Sequence, residues 1–409
     1  MKIIVVGAGI GGLVTALRLH HAGLDCEIYE QSEQIRELGV GINVLPYAVR
    51  ELAAVGLLDR LAQTGVRTGE LTYAHRLGQE IMVRPCGTDA GFDVPQFSIH
   101  RGRLQGLLLR AVLERLGADA VRTGHRLTGF DQDADAVTAR FADPGGAALP
   151  PVRADVLVGA DGIHSTVRAQ LFPHEGPPHW NGVTMWRGAT EWPVFGTGAS
   201  MIIAGGTQAK LVIYPIAPGA TADTRLTNWV LCVKTGADGD PAPSRQDWSR
   251  RAEPADVRPY VDRFRLEALD HTALVAATPE FFVFPMCDRE PLPFWTQGRV
   301  TLLGDAAHPM YPMGSSGAGQ ATLDATSLAA QLAGAASATE ALLAYQGERL
   351  PASTDLVRRN RAGGPEGVID IVEQRAPDGF TDLAAVIDPT ELHAIVTSYT
   401  KAAAGSPAR

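Results

Sequence analysis

Cysteine is scarce in this chain, which has four cysteines among its 409 residues. They are Cys26, Cys86, Cys232 and Cys287, and they form neither a C-x-x-C motif nor a cluster with histidine. This scatter argues against a disulfide framework and against a cysteine-based zinc site. We therefore expect no bound metal and a reducing compartment, the cytoplasm.

Long apolar runs and basic tracts are also lacking. The apolar start Ile3-Ile4-Val5-Val6 ends at Gly7, which is too short for a signal peptide, and no run reaches the ~20 apolar residues of a membrane span. The formal net charge is −9, and no basic tract is long enough to follow a phosphate backbone. We expect the chain to bind neither membranes nor nucleic acids.

The chain does contain enough apolar sequence for two packed domains, with 45% hydrophobic and 20% charged residues. Residues 71–99 alternate apolar and polar, and residues 186–285 predict short strands joined by loops. The C-terminal 40 or so residues predict mixed helix and loop with a frayed tail at 402–409. Buried strands are predicted at 3–6, 26–29, 156–158 and 300–303, a hairpin arm at 133–141, and helices at 11–23, 46–58, 101–116 and from about 318.

The first motif is Gly7-Ala-Gly9-Ile-Gly11-Gly12, between a predicted strand and a predicted helix. In this context Gly7 permits a tight turn, Gly9 lets a pyrophosphate approach the backbone, and Gly12 lets the helix pack closely on the sheet. Glu30 ends the second strand, where a carboxylate accepts hydrogen bonds from a ribose. The pattern predicts a dinucleotide site, and the acid suits either FAD or NAD.

Two later motifs each follow a buried strand. One runs from Ala154 to Arg168 and contains Asp161-Gly162, and an ordinary strand-turn-helix would also explain it. The other is Gly304-Asp305-Ala-Ala-His308, which continues to Pro312, Gly314 and Gly317. Asp305 is placed to bond sugar-like hydroxyls, although a helix cap is the alternative. Gly314 and Gly317 would leave a helix N-terminus open to a flat, partly anionic group.

In order and spacing these three motifs resemble the class A flavoprotein monooxygenases, the family of p-hydroxybenzoate and salicylate hydroxylases, over about residues 1–350. The resemblance implies that the first motif holds the ADP half of FAD, that Asp161 lies near the pyrophosphate, and that Asp305 binds the ribityl chain. Five further segments resemble the phenazine-carboxylate monooxygenase type within that family. They are Arg36–Asn43, Gln96–Gly102, Thr184–Gly188, Asn228–Val230 and His308–Gly314.

The implied fold class is α/β, with a Rossmann-like FAD-binding domain interleaved with a sheet-rich substrate domain and followed by C-terminal helices. The FAD-binding domain would comprise residues 1–70, 100–170 and 290–360, the substrate domain 71–99 and 171–289, and the helical segment and tail 361–409. Many family members read Gly-Gln-Gly-x-Asn where this chain reads Ser315-Ser316-Gly317-Ala318-Gly319, so side-chain roles are not transferred there.

The implied activity is hydroxylation, with or without loss of CO2, of an aromatic or N-heteroaromatic carboxylate such as a phenazine or salicylate-like compound. The implied route is a flavin C4a-hydroperoxide, with O2 as co-substrate, bound FAD, and NADH or NADPH as a transient reductant. Members of this family are usually monomers or homodimers, and the resemblance implies the same for this chain.

A related flavin epoxidase or hydroxylase acting on a polyketide or antibiotic is the main alternative function. A halogenase is disfavoured because no W-x-W-x-I-P segment occurs, and an NAD-dependent dehydrogenase or an inactive flavoprotein stays open.

Site candidates follow from the motifs and the resemblance. No catalytic base is identified: His308 is weighed as one, but its loop is more often structural. Arg187 could pair with a substrate carboxylate or with an acid of its own sheet, and core packing is the alternative for the other substrate candidates. The cofactor candidates are Gly9, Gly11, Gly12, Glu30, Arg36, Arg101, Gln105, Asp161, Asp305, Gly314 and Gly317. The substrate candidates are Met185, Trp186, Arg187, Tyr214, Trp229, Phe284, Met286 and Pro312.

Overall fold

The structure, a computed structural model, describes residues 1–37, 39–246 and 250–404. Its strands are β1 Ile3–Val6, β2 Cys26–Tyr29, β3 Gly41–Val44, β4 Val66–Arg67, β5 Glu70–Ala74, β6 Glu80–Pro85, β7 Phe97–His100, β8 Val121–Arg122, β9 Arg126–Gln132, β10 Val137–Ala142, β11 Val152–Ala154, β12 Val156–Gly159, β13 His179–Pro193, β14 Ser200–Ala204, β15 Ala209–Pro218, β16 Thr224–Lys234, β17 Phe281–Asp288 and β18 Val300–Leu302. Its α-helices are α1 Ile10–His21, α2 Pro46–Ala54, α3 Leu58–Thr64, α4 Arg101–Leu116, α5 Thr166–Leu171, α6 Pro254–Val261, α7 His271–Ala276, α8 Gly317–Gly334, α9 Ala338–Arg361, α10 Gly367–Arg375 and α11 Pro389–Ala403.

A five-stranded parallel sheet has the order β18-β12-β1-β2-β8. Its central strand β1 is buried at every position, because β12 and β2 flank it within the sheet and α1 packs against it. Helix α1 packs against α4 and α8. The predicted strands 3–6 and 26–29 and the predicted helix 101–116 are confirmed to the residue. The predicted α/β fold class is confirmed as well.

A seven-stranded sheet has the order β17-β13-β16-β15-β14-β5-β6. The prediction of short strands was wrong for β13, β15 and β16, which have 15, 10 and 11 residues, whereas β14 is short with 5. Gly182 and Pro215 lie inside β13 and β15, next to register shifts that accommodate them. Helices α6 and α7, between β16 and β17, were not predicted.

Alternation along the strands gives this sheet two different faces. One face buries Trp186, Leu211 and Trp229 in a core with residues of α6 and α7. The opposite face carries Met185 and Cys232, which pack with Phe284, Met286, Tyr311 and Met313. The second face lies toward the loops that follow the parallel sheet.

The predicted helix 46–58 is divided into α2 and α3. The division falls at Gly56, whose φ of +69° is a left-handed conformation that stops a helix. The predicted frayed tail starts too early, since α11 continues to Ala403, and residues 405–409 lie outside the described part. None of the helices in the described ranges is both long and apolar enough to cross a membrane.

Candidate active site

The glycine loop between β1 and α1 forms a tight turn. The N–H of Gly7, at φ +105°, donates to the carbonyl of Tyr29 at 2.8 Å. A Cβ on Gly12 would lie 2.0 Å from the carbonyl oxygen of Gly7, so this position accepts no side chain. A Cβ on Gly9 would meet nothing within 4 Å. Gly9 also caps α1 without a side-chain acceptor, so the helix presents backbone donors to an anion.

Glu30, directly after β2, stabilises the glycine loop. Its Oε2 accepts the N–H of Ala8 at 2.9 Å, and its Oε1 accepts the N–H of Ser32 at 2.8 Å. Gln105 donates its Nε2–H to the carbonyl of Ala8 at 2.8 Å. Sequence reasoning assigned both residues to the cofactor and did not foresee this shared role in holding Ala8.

A cavity of about 350 Å³ lies between the glycine loop and the seven-stranded sheet. Its size is that of a small-molecule site. Most of the predicted site residues converge on it, although they come from distant parts of the sequence. The predicted residues that line it are Gly9, Gly11, Arg101, Met185, Arg187, Tyr214, Phe284, Met286, Asp305, Pro312 and Gly317.

Asp305 and Arg101 place opposite charges in this cavity. Asp305 is exposed at the cavity, although many protein atoms surround its carboxylate. Desolvation by these atoms raises the pKa of Asp305, while His308 and Arg101 act against the increase. Burial likewise lowers the pKa of Arg101, opposed by the charge of Asp305. Hydrogen bonds from a polar ligand would therefore compensate both groups for their desolvation.

Arg187 forms a polar part of the sheet face. Its Nη2–H donates to the carbonyl of Gly41 at 2.5 Å, and the N–H of Gly41 donates to Oδ1 of Asn228 at 2.8 Å. The Nε of Arg187 is buried without a hydrogen-bond partner. Within the described ranges Arg187 forms no ion pair with an acid. The alternative that Arg187 pairs with an acid of its own sheet is therefore wrong. Burial raises the pKa of Tyr214, and Arg187 opposes that increase.

Several predicted cofactor residues lie away from the cavity lining. Asp161 accepts hydrogen bonds from the Ser165 hydroxyl and from the Thr166 N–H, at 2.5 and 2.7 Å, and so stabilises the start of α5. Arg36 is exposed in the loop after β2. Direct contact of these two residues with a cofactor stays a prediction.

Gly314 has a different reason to be glycine from the one expected. Its φ is +64°, and a Cβ there would lie 2.4 Å from the ring of Tyr399. Its N–H donates to Oε1 of Glu366 at 3.1 Å, so this amide is not open to a flat ligand. Gly317, which begins α8, does line the cavity.

The assignment of Trp229 and Trp186 to the cavity was wrong. Both indoles are buried on the opposite face of the sheet, where Trp229 donates its Nε1–H to the Thr278 hydroxyl at 2.8 Å and Trp186 stacks on Tyr260. Strand alternation gives the reason: since Met185 and Arg187 face the cavity, Trp186 between them cannot. Aromatic character alone does not determine which face of a strand a residue occupies.

His308 belongs to a buried polar network. Its Nε2 lies 2.5 Å from Oδ2 of Asp324, whose other oxygen accepts from Nε of Arg349 at 2.8 Å. The N–H of Gly304 also donates to Asp324, at 3.1 Å. His308 does not line the cavity. The network holds the loop that carries Asp305, which favours the structural role over that of a base.

Sequence reasoning missed Lys210 and Glu366, which form a buried ion pair in the cavity wall. Lys210 is the one charged residue in the apolar stretch Ala209–Pro218, a signal that could have drawn attention to it. Glu366 lies in a segment assigned to the C-terminal helices and carried no signal. Among the described residues, no group of histidine, cysteine or acidic side chains could hold a metal ion.

Known proteins resemble this chain over nearly its whole length. A family model described as FAD binding domain matches residues 1–360. Phenazine 1,6-dicarboxylic acid hydroxylase PhzS of Lysobacter antibioticus is 43% identical, over 88% of this chain and 89% of that protein. 3-amino-4-hydroxybenzoate 2-monooxygenase PtmB3 of Streptomyces platensis is 32% identical, over 95% and 94% respectively. The structure of Klebsiella pneumoniae HpxO complexed with FAD and uric acid has a TM-score of 0.77 at 25% identity, over 100% of this chain and 97% of that one.

The glycine loop at the carboxyl end of β1, joined to a cavity, indicates a protein that binds a dinucleotide cofactor. The chain belongs to the FAD binding domain family, and within it to the FAD-dependent aromatic monooxygenases. The resemblance stated from the motifs is therefore confirmed, as is FAD. The nicotinamide coenzyme stays a prediction.

Proposed function

We propose that this enzyme hydroxylates a fused N-heteroaromatic carboxylate of the phenazine-carboxylate type, using NADH or NADPH as reductant and O2 as oxygen donor. The observation that carries the proposal is Arg187, a guanidinium that lines the cavity and has no acid partner among the described residues. A carboxylate is the group that a guanidinium binds best, through two parallel hydrogen bonds. The names of the two relatives above favour an aromatic acid over the polyketide alternative.

The residues present suit FAD at the glycine loop. The open space above Gly9 and the backbone donors at the start of α1 would take the pyrophosphate. Asp305 and Arg101 would hold hydroxyl and other polar groups farther along the cofactor, and Gly317 leaves room at the start of α8. Bound FAD would supply the redox chemistry: it would be reduced by hydride from NAD(P)H, and O2 would then give one oxygen atom to the ring and the other to water.

The sheet face supplies the substrate side of the cavity. Met185, Phe284 and Met286 form an apolar surface for the ring, and the flexible thioethers adapt to its outline. Arg187 fixes the carboxylate and with it the orientation of the ring. By burying the ring, these residues keep water from the reacting carbon. Loss of either CO2 or a ring proton then restores aromaticity, depending on which carbon receives the oxygen.

Ligand binding to the Arg187→Met variant tests this assignment without turnover. Perturbation of the FAD absorbance would give the dissociation constants of phenazine-1-carboxylate and of its uncharged carboxamide. We expect the variant to weaken carboxylate binding by at least ~10-fold, because each of the two charged hydrogen bonds contributes ~1.5–3 kcal/mol, and to weaken carboxamide binding less. Arg187→Lys, which keeps the charge, should lose less. Equal weakening of both ligands would show that Arg187 does not bind the carboxylate.

A further inference from the structure

Lys210 is a buried cation that the proposed chemistry does not yet use. It lies on β15 with 5% of its surface exposed, and it lines the cavity. Its ammonium donates to Oε2 of Glu366 and, at 3.1 Å, to the thioether sulfur of Met313. Burial alone would lower the pKa of Lys210, but the nearby Glu366 carboxylate raises it overall. Lys210 is therefore charged at neutral pH.

The ammonium has more donors than the protein satisfies. An ammonium offers three N–H groups, and in the described ranges Lys210 has two acceptors, one of them a weak thioether. A buried charged donor without an acceptor is costly. Since Lys210 lines the cavity, the remaining N–H can be satisfied by an acceptor on a ligand.

Charge balance indicates which kind of acceptor this is. Glu366 neutralises Lys210, and its other oxygen accepts the N–H of Gly314 at 3.1 Å. A second carboxylate placed here would lie beside the Glu366 carboxylate and be repelled by it. Arg187, by contrast, has no acid partner among the described residues and suits an anion. The pair at Lys210 therefore suits a neutral acceptor.

The register of the sheet sets the spacing between the two cations. Lys210 pairs with Cys232 across β15 and β16, and Cys232 pairs with Met185 across β16 and β13. Arg187 is two residues beyond Met185 on the same face. Two strand spacings separate β15 from β13, so the backbone positions of Lys210 and Arg187 lie about 10 Å apart across the sheet and about 7 Å apart along the strands. With both long side chains reaching inward, this suits opposite edges of a planar fused ring.

We propose that Lys210, held by Glu366, is a specificity residue that donates a hydrogen bond to a ring nitrogen and so selects N-heteroaromatic acids over carbocyclic acids of the same shape. The inference rests on the proposed function, because Arg187 is taken as the carboxylate site. Lys210 would thus provide a second contact, to a nitrogen of the ring, in addition to the contact of Arg187 with the carboxylate.

The test compares two ligands of equal size, phenazine-1-carboxylate and anthracene-1-carboxylate, which lacks the ring nitrogens. Dissociation constants would be measured on FAD-loaded protein without NAD(P)H. The variant is Lys210→Met with Glu366→Gln, which removes both charges together and keeps an acceptor for Gly314, since removal of one partner would leave a buried charge. The preference for phenazine over anthracene should fall by ~10- to 150-fold relative to the unmutated protein, as for a hydrogen bond to a charged group.

Met313→Leu serves as the control, because it removes the thioether at similar volume and should keep the preference. FAD content and thermal unfolding of each variant establish that it is folded. If both ligands bind and the preference is unchanged in the double variant, the role of Lys210 is refuted while the proposed function stands. If neither ligand binds the unmutated protein, the proposed function fails and this inference fails with it.

Discussion

Gly9 and Gly12 occupy the same loop but are glycines for different reasons. Gly12 has the carbonyl of Gly7 at 2.0 Å from where a Cβ would be, whereas Gly9 has open space there. We expect Gly12→Ala to impair folding, because backbone must move to admit the methyl group. Gly9→Ala, at an ordinary φ of −71°, should fold normally but bind FAD at least tenfold more weakly, since the methyl group occupies the cofactor's space.

Thermal unfolding of the two apoproteins, together with FAD titration, separates these effects. A Gly9→Ala protein that binds FAD as tightly as the unmutated one would place the pyrophosphate elsewhere. A Gly12→Ala protein of unchanged stability would mean that the loop adjusts freely around the added methyl group.

The sequence correctly predicted the positions of single residues where they lie in a glycine loop or directly after a strand. Gly9, Gly12 and Asp305 belong to this group, because local spacing determines where they lie. Lys210 and Glu366 do not, since they are 156 positions apart and only the tertiary fold brings them together. Trp229 was misplaced because its chemistry was considered without the alternation of its strand.

Among the elements, α4 depends on a titratable cap. The Nδ1 of His100 accepts the N–H of Arg103 at 3.4 Å at the start of this helix, whose first residue is Arg101. Burial lowers the pKa of His100, and the Arg103 charge lowers it further, with Glu37 opposing. Protonation would remove the acceptor and place a positive charge at the positive end of the helix.

The sign of the pH effect follows from this lowered pKa. Below the ordinary histidine pKa of about 6.5 the unfolded chain takes up the proton first, so stability falls as the pH decreases. We expect His100→Asn, a cap that does not titrate, to remove ~1 kcal/mol of this loss between pH 7.5 and 5.5. Thermal unfolding with saturating FAD measures it. Parallel pH curves for the two proteins would contradict the role of His100.

Elements were predicted well where one period extends over the whole segment. Strand β1, strand β2 and helix α4 were correct to the residue. Strand lengths in the second sheet were predicted less well: Gly182 and Pro215 lie inside the long strands β13 and β15, beside register shifts. A bulge supported by two neighbouring strands tolerates such residues, and this support is not visible in local sequence.

The cavity is a property of the whole molecule. It joins the glycine loop, the face of the seven-stranded sheet and the loop before α8, and the C-terminal segment completes it through Glu366. Tyr399 of α11 secures that arrangement, since its hydroxyl donates to the carbonyl of Met313 at 2.8 Å and contacts Oδ1 of Asn360 at 2.6 Å. The sequence predicted the sheets but not this closure, which depends on contacts between remote segments. The division into two domains stays a prediction.

We propose that this enzyme transfers one oxygen atom from O2 to an N-heteroaromatic carboxylate at the expense of NAD(P)H. The most direct measurement is turnover of phenazine-1-carboxylate under ¹⁸O2, with the product weighed by mass spectrometry and coenzyme use recorded. We predict a hydroxylated product with one ¹⁸O atom for each NAD(P)H oxidised. A product without ¹⁸O, or rapid oxidation of coenzyme that yields only hydrogen peroxide, would contradict the account.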